Sequence, residues 1–211
     1  LRFLPPIVRN EERWCQLFSE PGAGSDVASL ATKAEWVGDE WVVTGQKVWT
    51  SYAQFADWGL CLARTDPGAP KNRGISALAV DLRAEGVEVR PLVQITGEAE
   101  FNEVFFDGAF VPDDHLIGAE NNGWQVSSST LTHERGTNPR QFVIHAQLLE
   151  ELFQLAIESG RYDDPRLQRE LAEAFVEVRL FQLHNWRSLS RLAAGKELGP
   201  EGSTLKLYWS E

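Results

Sequence analysis

Near Gly118 the sequence changes its period. Before that point, apolar residues stand in short β-branched and aromatic runs separated by Gly, Pro and Asp. After it they recur at three and four over stretches much longer than a strand. A chain that keeps its strands in one half and its helices in the other is expected to fold as α+β, with a strand-built domain followed by a helical one. The division predicted is 1–117 for the β part and 118–211 for the helical part.

The first half predicts strands at Trp14–Phe18, Ala31–Val37, Trp41–Val48, Trp58–Arg64, Gly74–Asp81, Val87–Ile95 and Glu103–Phe110. Gly38-Asp39-Glu40 is a turn signal between the second and third, and Asp66-Pro67-Gly68-Ala69-Pro70 is a loop by composition. Short strands at close spacing predict a barrel or sandwich. In the second half, Gly123–Glu158 and Arg166–Ala194 read as helices. An interruption is expected at Asn138-Pro139, where proline removes a backbone donor and crowds the carbonyl one turn earlier. Leu167, Leu171, Phe175, Val178, Phe181, Leu189 and Leu192 form one apolar stripe, read as core.

The chain has 211 residues, 43% of them hydrophobic, and a net charge of -11. Such acidity disfavours polyanionic partners, so nucleic acid and anionic membrane surfaces are not expected. No apolar run approaches a bilayer span, and Leu1 begins nothing like a signal peptide. Two cysteines are too few for a disulfide framework, which favours a reducing, cytoplasmic setting. The absence of methionine predicts an internal piece of a longer protein or a sequence from which residues are missing.

Three segments carry candidate chemistry. Ser19-Glu20-Pro21-Gly22-Ala23-Gly24-Ser25-Asp26 ends an aromatic strand. Its glycines allow positive φ and converging backbone N–H groups, and its serines suit a phosphate or a ligand with a polar rim; it also reads as an ordinary Pro-Gly turn. No Gly-Lys-Ser/Thr follows, so it is not a P-loop. Gly45-Gln46-Lys47-Val48-Trp49-Thr50-Ser51 offers a flat apolar face beside two hydroxyls, the surface a planar heteroaromatic cofactor needs, although Trp49 alone also reads as core. Thr132-His133-Glu134-Arg135-Gly136 holds either a surface ion pair or a general base raised in pKa by an apolar pocket. The four histidines lack zinc-site spacing, and no metal is expected.

In this order the segments resemble the acyl-CoA dehydrogenase family. The resemblance rests on Gln16–Asp26, Gly45–Ser51, Thr96-Gly97-Glu98-Ala99-Glu100-Phe101-Asn102-Glu103-Val104, Val111-Pro112, Gly123-Trp124 and Glu134-Arg135-Gly136. It implies the middle β domain followed by part of an antiparallel C-terminal helical bundle. It also implies FAD as cofactor, held by residues of the first two segments. Gln16, Phe18 and Ser19 would line the flavin, with the Ser19 hydroxyl at the ring edge. Gly24 and Ser25 would approach the pyrophosphate and the acyl-CoA. Trp49 would stack on the isoalloxazine, Thr50 would be a further cofactor-binding residue, and Ser51 would bond near N5.

The reaction implied is α,β-dehydrogenation of an acyl-CoA thioester. The family places its base at one of two positions, one further along the C-terminal bundle and absent from this sequence, the other immediately before the Arg of the helix motif. Glu134 occupies the second and would be the base, with Arg135 a substrate-binding neighbour and an electron-transferring flavoprotein the acceptor. An acyl-CoA oxidase or flavin monooxygenase on the same scaffold, or a non-catalytic subunit, are the rival readings. Two departures stand out. Pro139 sits one turn beyond Glu134, where it would re-aim the base. The family often carries Arg-Lys-x-Phe-Gly after this helix, its Arg clamping the FAD of a neighbouring subunit. Here Ser159-Gly160-Arg161-Tyr162-Asp163-Asp164 replaces it, which suits a homo- or hetero-oligomer whose partner completes the site.

Overall fold

The computed structural model describes residues 2–134 and 139–210. They form two compact units, Leu1–Ser128 and Ser129–Glu211.

The first unit opens with a short helix, α1 (Leu4–Val8), whose prolines sit in the first turn where no backbone donor is needed. Eight strands follow: β1 (Trp14–Leu17), β2 (Lys33–Val37), β3 (Glu40–Ser51), β4 (Trp58–Arg64), β5 (Ile75–Asp81), β6 (Val87–Leu92), β7 (Phe101–Pro112) and β8 (Leu116–Ile117). They hydrogen-bond in the order β6-β7-β3-β2-β4-β5-β8, with β1 parallel to β4. All seven strands expected from the sequence are present, and β3 and β7 run longer than expected. Strand β8, only two residues long, gives too little alternation to be read in advance, as does α1.

Burial follows composition. The near-continuous apolar runs of β4 and β5 are buried along almost their whole length, whereas β7 alternates between buried and more exposed positions and β6 has only half-buried and exposed ones. Leu17, Val43, Cys61, Leu78, Val104 and Phe106 lie in the core. Both cysteines are free and buried. Burial, assisted by the neighbouring Cys61, pushes the Cys15 thiol up to about 12. The β2–β3 hairpin turns on Gly38-Asp39 alone, with Val37 opposite Glu40 and Gly38 at φ +70.

Helix α2 (Gly123–Glu134) starts in the first unit and ends in the second. The second unit continues with α3 (Pro139–Glu158), α4 (Pro165–Ala193) and α5 (Glu201–Ser210). The interruption expected at Asn138-Pro139 falls on 135–138, outside the described residues. Between α3 and α4, Gly160 takes φ +67 and the Arg161 N–H bonds the Ala156 carbonyl, closing one helix. Asp164 then caps the next by accepting the Arg166 N–H at 2.9 Å, with Pro165 in the first turn. Helix α5, too short to stand out by period, is tied to α4 by the Arg191–Glu201 ion pair at 2.9 Å and by the Tyr208 hydroxyl donating to the Glu177 carbonyl.

The apolar stripe of α4 is only partly core. Leu171 and Phe181 are buried, but Phe175, Leu189 and Leu192 are each more than 40% exposed. The stripe is wider than the strip of α4 that α3 and α5 cover.

Candidate functional site

The first two candidate segments meet in the first unit. Just beyond β1, the Ser19 carbonyl accepts the backbone N–H of Val48 at 2.9 Å. The motif after β1 is therefore a neighbour of the far end of β3. At Pro21-Gly22 the chain reverses, and Glu20 and Ala23 exchange both backbone hydrogen bonds, at 2.9 and 3.0 Å. The positive φ expected of Gly22 and Gly24 is not used, because this reciprocal pair closes the turn without it. What the two glycines provide is bare backbone: a Cβ at either would meet nothing within 4 Å. Gly24 and Ser25 are both exposed.

Strand β3 is bulged at the matching point. Lys47 pairs with Val104 and Thr50 with Asn102, so Val48 and Trp49 together face Glu103 alone. Trp49 takes φ +60, a left-handed conformation costing of order 1–3 kcal/mol for a residue with a Cβ. The bulge re-aims the strand. Trp49, 62% exposed, and Ser51 face outward, whereas Thr50 is buried. The Trp49 ring meets Phe101 edge-on at 6.0 Å, which leaves a face open.

Support comes from the segment before β7. Asn102 donates from Nδ2 to the Thr50 carbonyl at 3.0 Å and also to Gln54 Oε1. Gln54 Nε2 donates to the Ala99 carbonyl, and the Tyr52 hydroxyl to Glu100 at 2.8 Å. That bond to Glu100 raises the Tyr52 pKa.

Among the residues expected to hold a cofactor, Gln16, Ser19, Trp49 and Ser51 have surface exposure, and Gly24 and Ser25 lie on the open turn. Phe18 and Thr50 are buried. Among the described residues the Thr50 hydroxyl has no hydrogen-bond partner, a cost normally avoided in a buried group. An exposed aromatic face, hydroxyls beside it and accessible backbone at a turn fit a planar, polar-rimmed group with a phosphate tail. Glu134 is exposed and lies in the second unit, at the end of α2. Arg135 lies outside the described residues.

Two functional candidates escaped the motif reading. Lys47 and Glu20 form an ion pair of 2.8 Å with side chains 0% and 6% exposed. The sequence does carry a signal, since Glu20 lies within Ser19–Asp26 and Lys47 within Gly45–Ser51.

The chain matches the family model "Acyl-CoA dehydrogenase, middle domain" over residues 15–109 and "Acyl-CoA dehydrogenase, C-terminal domain" over 121–211. The chain belongs to the acyl-CoA dehydrogenase family. Acyl-CoA dehydrogenase IpdE1 of Mycobacterium tuberculosis is 45% identical over 210 residues, covering 99% of this chain and 54% of the relative. Acyl-CoA dehydrogenase FadE34 of the same organism is 58% identical over 134 residues, covering 64% of this chain and 19% of the relative. The solved Tcur3481-Tcur3483 steroid ACAD G363A variant superposes with TM-score 0.90 at 31% identity, covering 99% of this chain and 55% of that one. The ChsE4-ChsE5 complex of M. tuberculosis gives TM-score 0.83 at 32% identity, over 99% of this chain and 55% of that one. This acyl-CoA dehydrogenase chain thus spans about half the length of the relatives that it matches along its whole length.

Proposed function

We propose that the protein catalyses FAD-dependent α,β-dehydrogenation of an acyl-CoA thioester in the cytoplasm and hands the electrons to an electron-transferring flavoprotein. The observation that carries this reading is the Ser19–Val48 bond, which joins the Ser/Gly turn to a bulge presenting Trp49 and Ser51. In this reading residues 1–117 are the middle β domain and 118–211 part of the C-terminal helical domain.

FAD, when bound, supplies the hydride acceptor that no side chain offers. The chain supplies binding and orientation. Trp49 gives a stacking face, and the Ser19 and Ser51 hydroxyls serve the ring edge. The Gln16–Ser19 segment lines the ring, with Thr50 beneath the bulge. The open backbone at Gly24 and the Ser25 hydroxyl receive the pyrophosphate and the acyl-CoA, and Arg135 contacts the substrate.

Glu134 takes the α-proton on a carboxylate oxygen. Removing that proton leaves negative charge on the thioester oxygen, which needs fixed donors and exclusion of water. Exposed as it is here, Glu134 would be shielded by the acyl-CoA itself and by segments beyond this chain.

An oligomer with a second subunit completes the FAD site. Supporting this, Arg161 is held 3.6 Å from Asp164 within a helix-to-helix turn, leaving it a weak pyrophosphate clamp. The likeness to a steroid ACAD supports a bulky ring-bearing acyl group as this protein's substrate rather than a straight chain.

The test is anaerobic. The whole protein, with any co-purifying subunit, should bleach its flavin on addition of acyl-CoA, faster with steroid side-chain thioesters than with straight-chain ones. Glu134→Gln should abolish bleaching while FAD stays bound; undiminished bleaching removes Glu134 from the role. Rapid reoxidation by oxygen with peroxide release would instead mark an oxidase.

A further inference from the structure

We propose that the buried Lys47–Glu20 ion pair is a positioning element that holds the Ser19–Ser25 turn against the Trp49 bulge in the arrangement that receives the flavin. The proposal rests on the FAD-binding reading and names residues that would act without touching the cofactor.

The pair is connected at both ends. Lys47 Nζ donates to the Phe18 carbonyl at 3.2 Å and to Glu20 Oε1 at 2.8 Å, gripping the chain on entry to the turn. The Glu20 carboxylate also accepts the Thr32 N–H at 3.0 Å on Oε1 and the Ala31 N–H at 2.6 Å on Oε2. One ammonium and one carboxylate thereby join the end of β1, the turn, the approach to β2, and β3.

Stability alone is a weak reason for such a pair. Taking two charges out of water costs several kcal/mol each, and apolar residues of similar volume often hold a core as well. Location supplies the stronger reason. Lys47 is the last regularly paired residue before the bulge, and the next residue, Val48, bonds Ser19. The tether and the backbone bond therefore stand immediately before the strained Trp49, while Asn102 fixes the Thr50 carbonyl immediately after it. A left-handed tryptophan persists only where its surroundings over-determine it. Releasing Lys47 lets the bulge relax and separates the Trp49 face from the Ser19 turn.

The whole protein is measured in three forms: wild type, Lys47→Met, and Lys47→Met with Glu20→Gln. Lys47→Met strands a buried carboxylate and should lower the melting temperature. It should also weaken FAD affinity at least about tenfold and alter the visible circular dichroism of bound flavin. The double variant removes the stranded charge, so melting should recover while FAD affinity and dichroism stay perturbed. Recovery of all three would make the pair merely structural and overturn the proposal.

Amide hydrogen exchange on the wild type decides the matter even if a variant does not fold. Val48 and Ala31 should be protected before FAD is added, as a preorganised site requires. Protection appearing only with FAD would overturn the proposal. A wild-type protein that binds no FAD would overturn the reading and the proposal together, whereas normal binding in Lys47→Met would overturn the proposal alone.

Discussion

The backbone N–H of Val48 lies 2.9 Å from the carbonyl of Ser19, and this one bond joins the two segments richest in candidate chemistry. Its position explains why each segment reads ambiguously alone. A Pro-Gly turn and a strand-end tryptophan are ordinary features. Joined beside a bulge, they present hydroxyls, open backbone and an aromatic face together, while Lys47 and Glu20 sit in the interior behind them.

The conformation of Trp49 leads to a test that separates folding from binding. Trp49→Gly removes an exposed ring and relieves a left-handed conformation that glycine adopts freely. Thermal stability should therefore change by no more than about 1 kcal/mol, the strain relieved offsetting the lost contact with Phe101. FAD affinity should fall by at least about tenfold, since the stacking face is gone. Fluorescence titration of apoprotein with FAD, alongside a melting curve, checks both. A large drop in melting temperature with intact affinity would assign Trp49 to the core instead.

Glu20 sets a pH signature. Burial alone would raise its pKa, but the Lys47 charge and hydrogen bond, with the Ala31 and Thr32 contacts, outweigh burial and hold it below the usual 4.5. A carboxyl lowered in the folded state contributes stability that is fully present above its unfolded pKa. That contribution is lost as pH falls through the folded value. Wild-type stability should therefore decline below pH 4.5. Glu20→Gln leaves Lys47 buried without its counter-charge, so this variant should be less stable near neutrality by about 3–5 kcal/mol. Its acid limb should be shallower than the wild type's, because one titrating group has gone. Urea midpoints measured between about pH 7 and about pH 3 compare the two slopes; parallel slopes would show that Glu20 titrates normally.

The sequence carries the strands and long helices because their periods are strong and local. β4 and β5 announce themselves as unbroken apolar runs, and Asp164-Pro165 marks where α4 begins. It carries the site less completely. The hydrogen bond from Val48 to Ser19 joins residues far apart in the chain, and no local pattern encodes it. The bulge at Val48–Trp49 is likewise a property of two strands, visible only once Lys47 and Thr50 are paired with Val104 and Asn102. The α4 stripe outruns the cover that this chain itself supplies. Its period promises burial at Phe175 and Leu189, but burial needs a covering element, and α3 and α5 cover only part of the helix.

Gly123 opens α2 and belongs to a Gly-Trp pair whose purpose the sequence does not disclose. The structure supplies it. A Cβ at Gly123 would lie 2.5 Å from the Ser76 carbonyl carbon and 2.8 Å from the Ala77 nitrogen, both backbone atoms of β5. Neither can swing aside as a flexible side chain would, and β5 is held between β4 and β8. The neighbouring contacts are equally fixed, since Ser76 Oγ accepts the Asn121 N–H at 2.8 Å and bonds the Thr65 hydroxyl at 2.7 Å. Gly123→Ala must therefore push the start of α2 off the sheet and strain this network. The expected cost is about 1–3 kcal/mol, the usual price of overpacking a close contact. Helix propensity favours alanine over glycine by up to about 1 kcal/mol, so a purely local effect would raise stability rather than lower it. The sign of the change in melting temperature thus decides the question. A fall shows that the close approach of α2 to β5 requires glycine, and a rise would show that the sheet yields.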